Sequence, residues 1–159
     1  MILRFCDIID GEFGCQVKFA KCCNPLPGDK IVGFVTRGFG VSIHKADCPN
    51  VISSRSNSEN LSRWVVAEWE KSDSVASDST YEAHIQILSE DKIGVIAAIS
   101  QTLADMRVSI SSINTQMQKS GDVIINIIIE CKNKSHYDAI VSKIRSVSSV
   151  ISVTRGFSN

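Results

Sequence analysis

No apolar run in this chain is long enough to cross a bilayer: Val123-Ile124-Ile125 and Ile127-Ile128-Ile129 are interrupted by Asn126 and Glu130. Its opening residues, Met1-Ile2-Leu3-Arg4-Phe5-Cys6-Asp7, lack the basic segment and long apolar stretch of an export signal, so none is expected. Charge of one sign is not in excess either. Seventeen basic and seventeen acidic residues cancel, which excludes a histone-like polycation but leaves room for a local basic patch. Catalytic signatures are missing as well. There is no Walker loop, and Gly38-Phe39-Gly40 lacks the third glycine and following helix of a dinucleotide site. The three histidines, His44, His84 and His136, are scattered, and no residue is assigned a catalytic role.

What is present is an ordinary globular composition, 43% hydrophobic and 21% charged over 159 residues, enough for one domain or two small ones. The six cysteines are unevenly placed, with five before residue 50 and two adjacent, Cys22-Cys23. Without an export signal they are expected to be reduced thiols in the cytoplasm, serving as metal ligands or small core residues. A reactive thiol at Cys22 or Cys23, activated by Lys21, is a further chemical option.

Composition shifts once. Lys71–Ser79 is a serine/aspartate segment that cannot sustain a core and is expected to be a linker. It separates residues 1–70 from 80–159, each near the size at which one core becomes marginal. Neither half is polarised in charge. Within Gln16–Lys45, however, Lys18, Lys21, Lys30, Arg37 and Lys45 face the single acid Asp29.

After the linker the periodicities are clear. Tyr81–Ile87 alternates like a half-buried strand, and Asp91 precedes a helical stretch that Arg107 ends. Val108–Gln118 is β-branched, Val123–Cys131 is apolar on both faces like a central strand, Ser135 is placed to cap a second helix, and Val150–Arg155 closes as a strand. The order β-α-β-β-α-β is the ferredoxin-like split βαβ unit. The first half predicts a brief strand at Val17–Ala20 and a hairpin of Ile31–Arg37 with Gly40–His44. A short helix capped by Asp47 follows, then a strand over Leu61–Glu70. The fold class is therefore α+β.

One constellation carries chemistry. The hairpin should return the end of its second strand beside the Cys-Cys turn, placing Cys22, Cys23, His44 and Cys48 together. Three thiolates and an imidazole suit a tetrahedral zinc ion, although the spacing departs from the usual finger patterns. The alternative is that the cysteines are small buried residues and His44 bonds backbone.

These residues also carry a resemblance. Val17-Lys18-Phe19-Ala20-Lys21-Cys22-Cys23-Asn24-Pro25-Leu26-Pro27-Gly28-Asp29, continuing through Ile31–Gly38 and Gly40–Asn50, resembles the zinc-finger (ribosome-intersubunit) domain of the RelA/SpoT family of (p)ppGpp synthetases/hydrolases. The β-α-β-β-α-β half is similar to the ACT domain of that family. The resemblance implies a regulatory C-terminal fragment of a GTP pyrophosphokinase, without its catalytic domains. In the family these modules contact ribosomal RNA near the A site when uncharged tRNA is bound, and restrain or release the enzyme. ACT domains in general bind small ligands, often amino acids, and pair side by side.

Three further expectations follow. Lys18, Lys21, Lys30, Arg37 and Lys45 can meet RNA phosphates, with Phe39 stacking on a base; otherwise they form a solvated face. The loop Asp91-Lys92-Ile93-Gly94, with Asn114 on a facing strand, can take a branched-chain amino acid; otherwise Asp91 caps the helix and Gly94 permits close packing. A homodimer through the second half is expected if one face of Val123–Cys131, carrying either Ile124 and Ile128 or Ile125, Ile127 and Ile129, looks away from the helices.

Overall fold

The structure is a computed structural model that describes residues 16–38, 40–69 and 79–156. Two compact units divide between Ser77 and Asp78. Most of the expected linker, residues 71–78, lies outside the described residues.

The first unit is a four-stranded sheet ordered β1-β3-β2-β4, built from β1 (Val17–Phe19), β2 (Ile31–Val35), β3 (Val41–Lys45) and β4 (Trp64–Val66). The β2–β3 hairpin forms as expected, with Val35 opposite Val41. Alternation sorts its faces. Ile31, Val41 and Ile43 are buried in a small core with Ala67, packed by Val17, Val35, Val65 and Trp69. Two glycines are required here. A Cβ on Gly33 would meet the Val41 and Val65 side chains at 2.8 Å. On Gly40, where φ is +81°, it would sit 2.0 Å from the Gln16 carbonyl oxygen.

Two local expectations change. Helix α1 (Pro49–Arg55) is capped by Cys48, not Asp47, because Pro49 at the first helical position holds its predecessor extended. Asp47 pairs with Lys45 instead, at 3.1 Å. The strand expected over Leu61–Glu70 is shorter: its first three residues end a 3-10 turn, Ser58–Arg63, started by Asn57 accepting the Glu59 N–H, and among its described residues only Trp64–Val66 is strand.

The second unit is the expected βαββαβ sandwich. Its elements are β5 (Tyr81–Glu90), α2 (Val95–Asp105), β6 (Ile110–Met117), β7 (Asp122–Cys131), α3 (Lys134–Arg145) and β8 (Val150–Arg155), and the sheet order is β6-β7-β5-β8. The core is nearly pure aliphatic: Ile85, Ile87, Ile99, Leu103, Ile125, Ile127, Ile129, Ile140 and Ile144 are all 0% exposed. Asn133, not Ser135, caps α3 by accepting the His136 N–H at 2.8 Å. Helix α2 begins at Val95 after Gly94 rather than at Asp91. It ends in a Schellman motif: Val108 N–H bonds Leu103 O at 3.0 Å and Arg107 N–H bonds Ala104 O at 2.9 Å. Arg107 occupies the left-handed position, φ 55°, where glycine is usual.

The sheet face turned from the helices is not the apolar surface expected. Ile125, Ile127 and Ile129 face the helices, while Ile124 and Ile128 alternate with Asn126 opposite Gln86, His84 and Leu88. Exposed apolar surface lies instead on edge strand β6, where all eight residues are exposed, among them Ile110, Ile113 and Met117. Arg107→Gly should stabilise the second unit by about 0.5–1 kcal/mol, the left-handed penalty less glycine's entropy. Both tryptophans belong to the first unit. Urea unfolding followed by circular dichroism should therefore shift while the tryptophan-fluorescence transition stays put.

Candidate metal centre

Strand β1 pairs parallel with β3, Phe19 opposite Ile43, so the residues following each strand emerge side by side. Ala20 N–H continues the pairing to Ile43 O at 2.9 Å. The chain then turns tightly, Asn24 N–H returning to Ala20 O at 2.9 Å with Asn24 left-handed at φ 41°, which presents Cys22 and Cys23. His44 stands near the end of β3, and Cys48 caps α1 beyond it. The following loop is locked by Asp29: Leu26 N–H donates to Asp29 Oδ2 at 2.7 Å, Asp29 N–H to Leu26 O at 2.9 Å, and Trp69 Nε1–H to Asp29 O at 2.9 Å.

Cys22 Sγ lies 3.6 Å from Cys48 Sγ and 3.9 Å from Cys23 Sγ, and His44 Nδ1 lies 3.4 Å from Cys22 Sγ and 3.9 Å from Cys23 Sγ. All four ligand atoms fall within 4.8 Å of one another. A tetrahedral ion bonded at ~2.3 Å to sulfur and ~2.0–2.1 Å to nitrogen separates its ligands by about 3.6–3.8 Å. The donor set fits a thiophilic metal ion. Outer contacts orient it: Lys45 N–H donates to Cys23 Sγ at 3.3 Å, and His44 Nε2 lies 3.4 Å from Ser42 Oγ, leaving Nδ1 to the cluster. Burial lowers the His44 pKa, favouring the neutral ligating imidazole. Burial also pushes the Cys23 thiol up to about 12, against the Lys45 amide and with the neighbouring Cys22 and Cys48 adding to it. Activation of Cys23 by Lys21 is therefore not what the surroundings favour; a bound cation would be needed to hold three thiolates this close.

The sequence pattern of the RelA/SpoT RIS domain matches residues 8–70, and that of the ACT domain matches 77–155. Among curated proteins, a probable GTP pyrophosphokinase of Mycobacterium leprae is 34% identical over 92% of this chain and 18% of its own length. The bifunctional (p)ppGpp synthase/hydrolase RelA of Mycobacterium tuberculosis is 33% identical over 92% of the chain and 19% of its own. The chain carries a RelA/SpoT RIS domain followed by an ACT domain. It spans under a fifth of the length of these relatives. Among solved structures, the ACT domain from GTP pyrophosphokinase of Chlorobium tepidum is 28% identical, covering 48% of this chain and 99% of its own, with a TM-score of 0.43.

The other expected site residues divide between the two domains. In the RIS domain Lys18, Lys21, Lys30 and Arg37 are exposed, Lys45 is half-buried against Asp47, and Phe39 lies outside the described residues. In the ACT domain Asp91, Ile93 and Gly94 are exposed before α2. Asp91 is not the cap, and Gly94, φ +88°, has open space around its would-be Cβ; its backbone angle, not close packing, requires glycine. Asn114 pairs with Asn126 on the sheet face turned from α2, so one chain does not bring it to that loop. Residues that carry no metal signal in the sequence surround His44. Trp64 meets it edge-on at 5.8 Å between centroids, and Phe34 lies 4.7 Å from Trp64. Trp64 Nε1 is buried without a partner among the described residues, so ring contacts hold the indole. The alternation of β2 around Phe34 was the available signal.

Cobalt(II) added to reduced, metal-free chain should saturate at one ion per chain, with the thiolate charge-transfer and d–d absorption of a tetrahedral site. Protons should be released, and affinity should fall as pH falls because thiols and His44 compete with the ion. Cys48→Ser should abolish the tetrahedral spectrum; an octahedral spectrum for the unsubstituted chain would contradict the assignment.

Proposed function

We propose that this chain is the C-terminal regulatory region of a stringent-response (p)ppGpp synthetase/hydrolase, a GTP pyrophosphokinase of the cytoplasm. In this reading it responds to the ribosome and uncharged tRNA and controls catalytic domains elsewhere in the parent protein. The observation that carries this reading is the joint match of RIS and ACT domains across one chain. The chain itself is not an enzyme in this reading; it supplies binding surfaces. Zinc is the ion proposed for Cys22, Cys23, His44 and Cys48, since a closed Cys3His set leaves no open position for catalysis. No helix among the described residues is long and apolar enough to cross a membrane.

RNA is the proposed partner of the RIS domain. Among its described residues, 16–69, seven are basic (Lys18, Lys21, Lys30, Arg37, Lys45, Arg55, Arg63) and four acidic (Asp29, Asp47, Glu59, Glu68). Of the acids, Asp29 is buried in its loop and Asp47 is paired with Lys45. Replacing Lys18, Lys21 and Arg37 together by Ala should weaken ribosome co-sedimentation and flatten its salt dependence by roughly 0.7–0.9 for each phosphate no longer neutralised. An unchanged salt slope would return these residues to a solvated face.

The alternative reading, amino-acid sensing by the ACT domain, is supported by a helix α2 that starts with neither a side-chain cap nor an acidic residue in its first turn. It is coupled here to homodimerisation, because β6 is an open edge with Ile110, Ile113 and Met117 exposed. Pairing at that edge could also bring the partner's Asn114 within reach of the loop. Light scattering should find a dimer at micromolar concentration, and Ile113→Lys should give a monomer. A monomeric unsubstituted chain would remove this route to the ligand, and a thermal shift with valine or isoleucine would then have to arise within one subunit.

A further inference from the structure

The RIS sheet has a second face whose side chains form one continuous row. Register places Lys18 beside Ser42, Ser42 beside Phe34, and Phe34 beside Trp64, so one residue from each of β1, β3, β2 and β4 lines up across the sheet. At ~4.8 Å per strand the row is about 14 Å long. Two guanidinium groups lie on its rings. Arg63 Cζ is 4.3 Å from the Phe34 centroid and Arg55 Cζ is 5.6 Å from that of Trp64. Arg63 is also anchored, its Nε–H donating to Val35 O at 3.0 Å, so the group is held over Phe34 before anything binds. Neither arginine has a carboxylate partner among the described residues.

Core packing does not require this arrangement, because the opposite face of the sheet holds Ile31, Val41, Ile43 and Ala67. An arginine held over a ring can offer its guanidinium to a further planar π-system and its remaining N–H groups to an anion. Two such groups with a lysine at the far end of the row match alternating bases and phosphates of an unpaired strand. A duplex, whose bases are stacked inward, cannot use the planes.

We propose that the Lys18–Ser42–Phe34–Trp64 row, with Arg63 and Arg55 laid on its rings, is a binding face for single-stranded RNA, in which an unpaired base stacks on the outer plane of Arg63. This rests on the RNA reading given above and refines it: the lysines and Arg37 attract phosphate, while this face selects for unpaired bases. His44 adjoins the row through Trp64, so the metal cluster braces the same surface.

The test uses the full chain, a fluorescein-labelled single-stranded 12-mer RNA of mixed sequence, and the same 12-mer as a duplex. Arg63→Lys keeps the charge and loses the plane. It should weaken binding to the single strand about tenfold, leave the salt slope unchanged and leave duplex binding as it was. Equal affinity of Arg63→Lys and unsubstituted chain for the single strand would overturn the proposal, as would an equal loss on both RNAs. If Arg63→Lys loses its circular-dichroism signature, Arg55→Lys makes the same comparison at the other ring. The Lys18/Lys21/Arg37 variant separates the two ideas. A flattened salt slope there with no effect of Arg63→Lys keeps RNA binding and discards the stacking face. Absence of RNA binding by the unsubstituted chain discards both.

Discussion

The parallel pairing of β1 with β3 is the constraint on which the RIS domain turns. Antiparallel neighbours need only a short turn, but this pairing crosses 24 residues from Val17 to Val41 and must be held against the closure entropy of that loop. It is held by the bond from Val41 N–H to Gln16 O at 2.8 Å, by the glycine that alone can stand at position 40, and by the Asp29 lock on the intervening loop. Its consequence is chemical. Parallel strands end at the same side, so the turn after β1, the end of β3 and the helix start after it bring Cys22, Cys23, His44 and Cys48 to one point.

That pairing also shows why part of the site was legible in the sequence and part was not. Cys22, Cys23, His44 and Cys48 are residue types that announce a metal, and a hairpin was enough to suggest their convergence. The parallel partner was invisible, since β1 is three residues long and carries no crossover signal. Nothing in the sequence sets Phe34 and Trp64 apart, because only the register Phe34↔Ser42 and Phe34↔Trp64 shows that they share the outer face. Arg63 was similarly silent: its role comes from a bond to Val35 O, 28 residues away.

In the ACT domain the errors are at element ends. Long alternation over Tyr81–Glu90 and Asp122–Cys131 determined the strands, since a one-residue slip would expose every buried isoleucine. Caps were misplaced there, and at α1 of the RIS domain, because Asp91, Ser135 and Asp47 have the chemistry of caps, but Gly94, Asn133 and Cys48 have the backbone positions. The expectation of an apolar outer face failed for a related reason. It was drawn from β7 alone, and the neighbouring strand supplies His84 and Gln86 to that face, with Gln86 Nε2 bonded to Asn126 Oδ1 at 3.0 Å.

The two domains thus differ in what holds them. The ACT sheet buries isoleucines on several elements. The described RIS core is small, with Ile31, Val41, Ile43 and Ala67 as its buried set. Domains of this size commonly depend on a staple. The Cys3His cluster joins the turn after β1 to the start of α1, two segments otherwise linked through short strands. The affinity of an ion bound there would also be folding free energy, and the outer sheet face, which touches His44 through Trp64, would inherit the dependence. Loss of an ion held there would be felt by that face as a unit, whereas the ACT domain has no such cluster among its described residues.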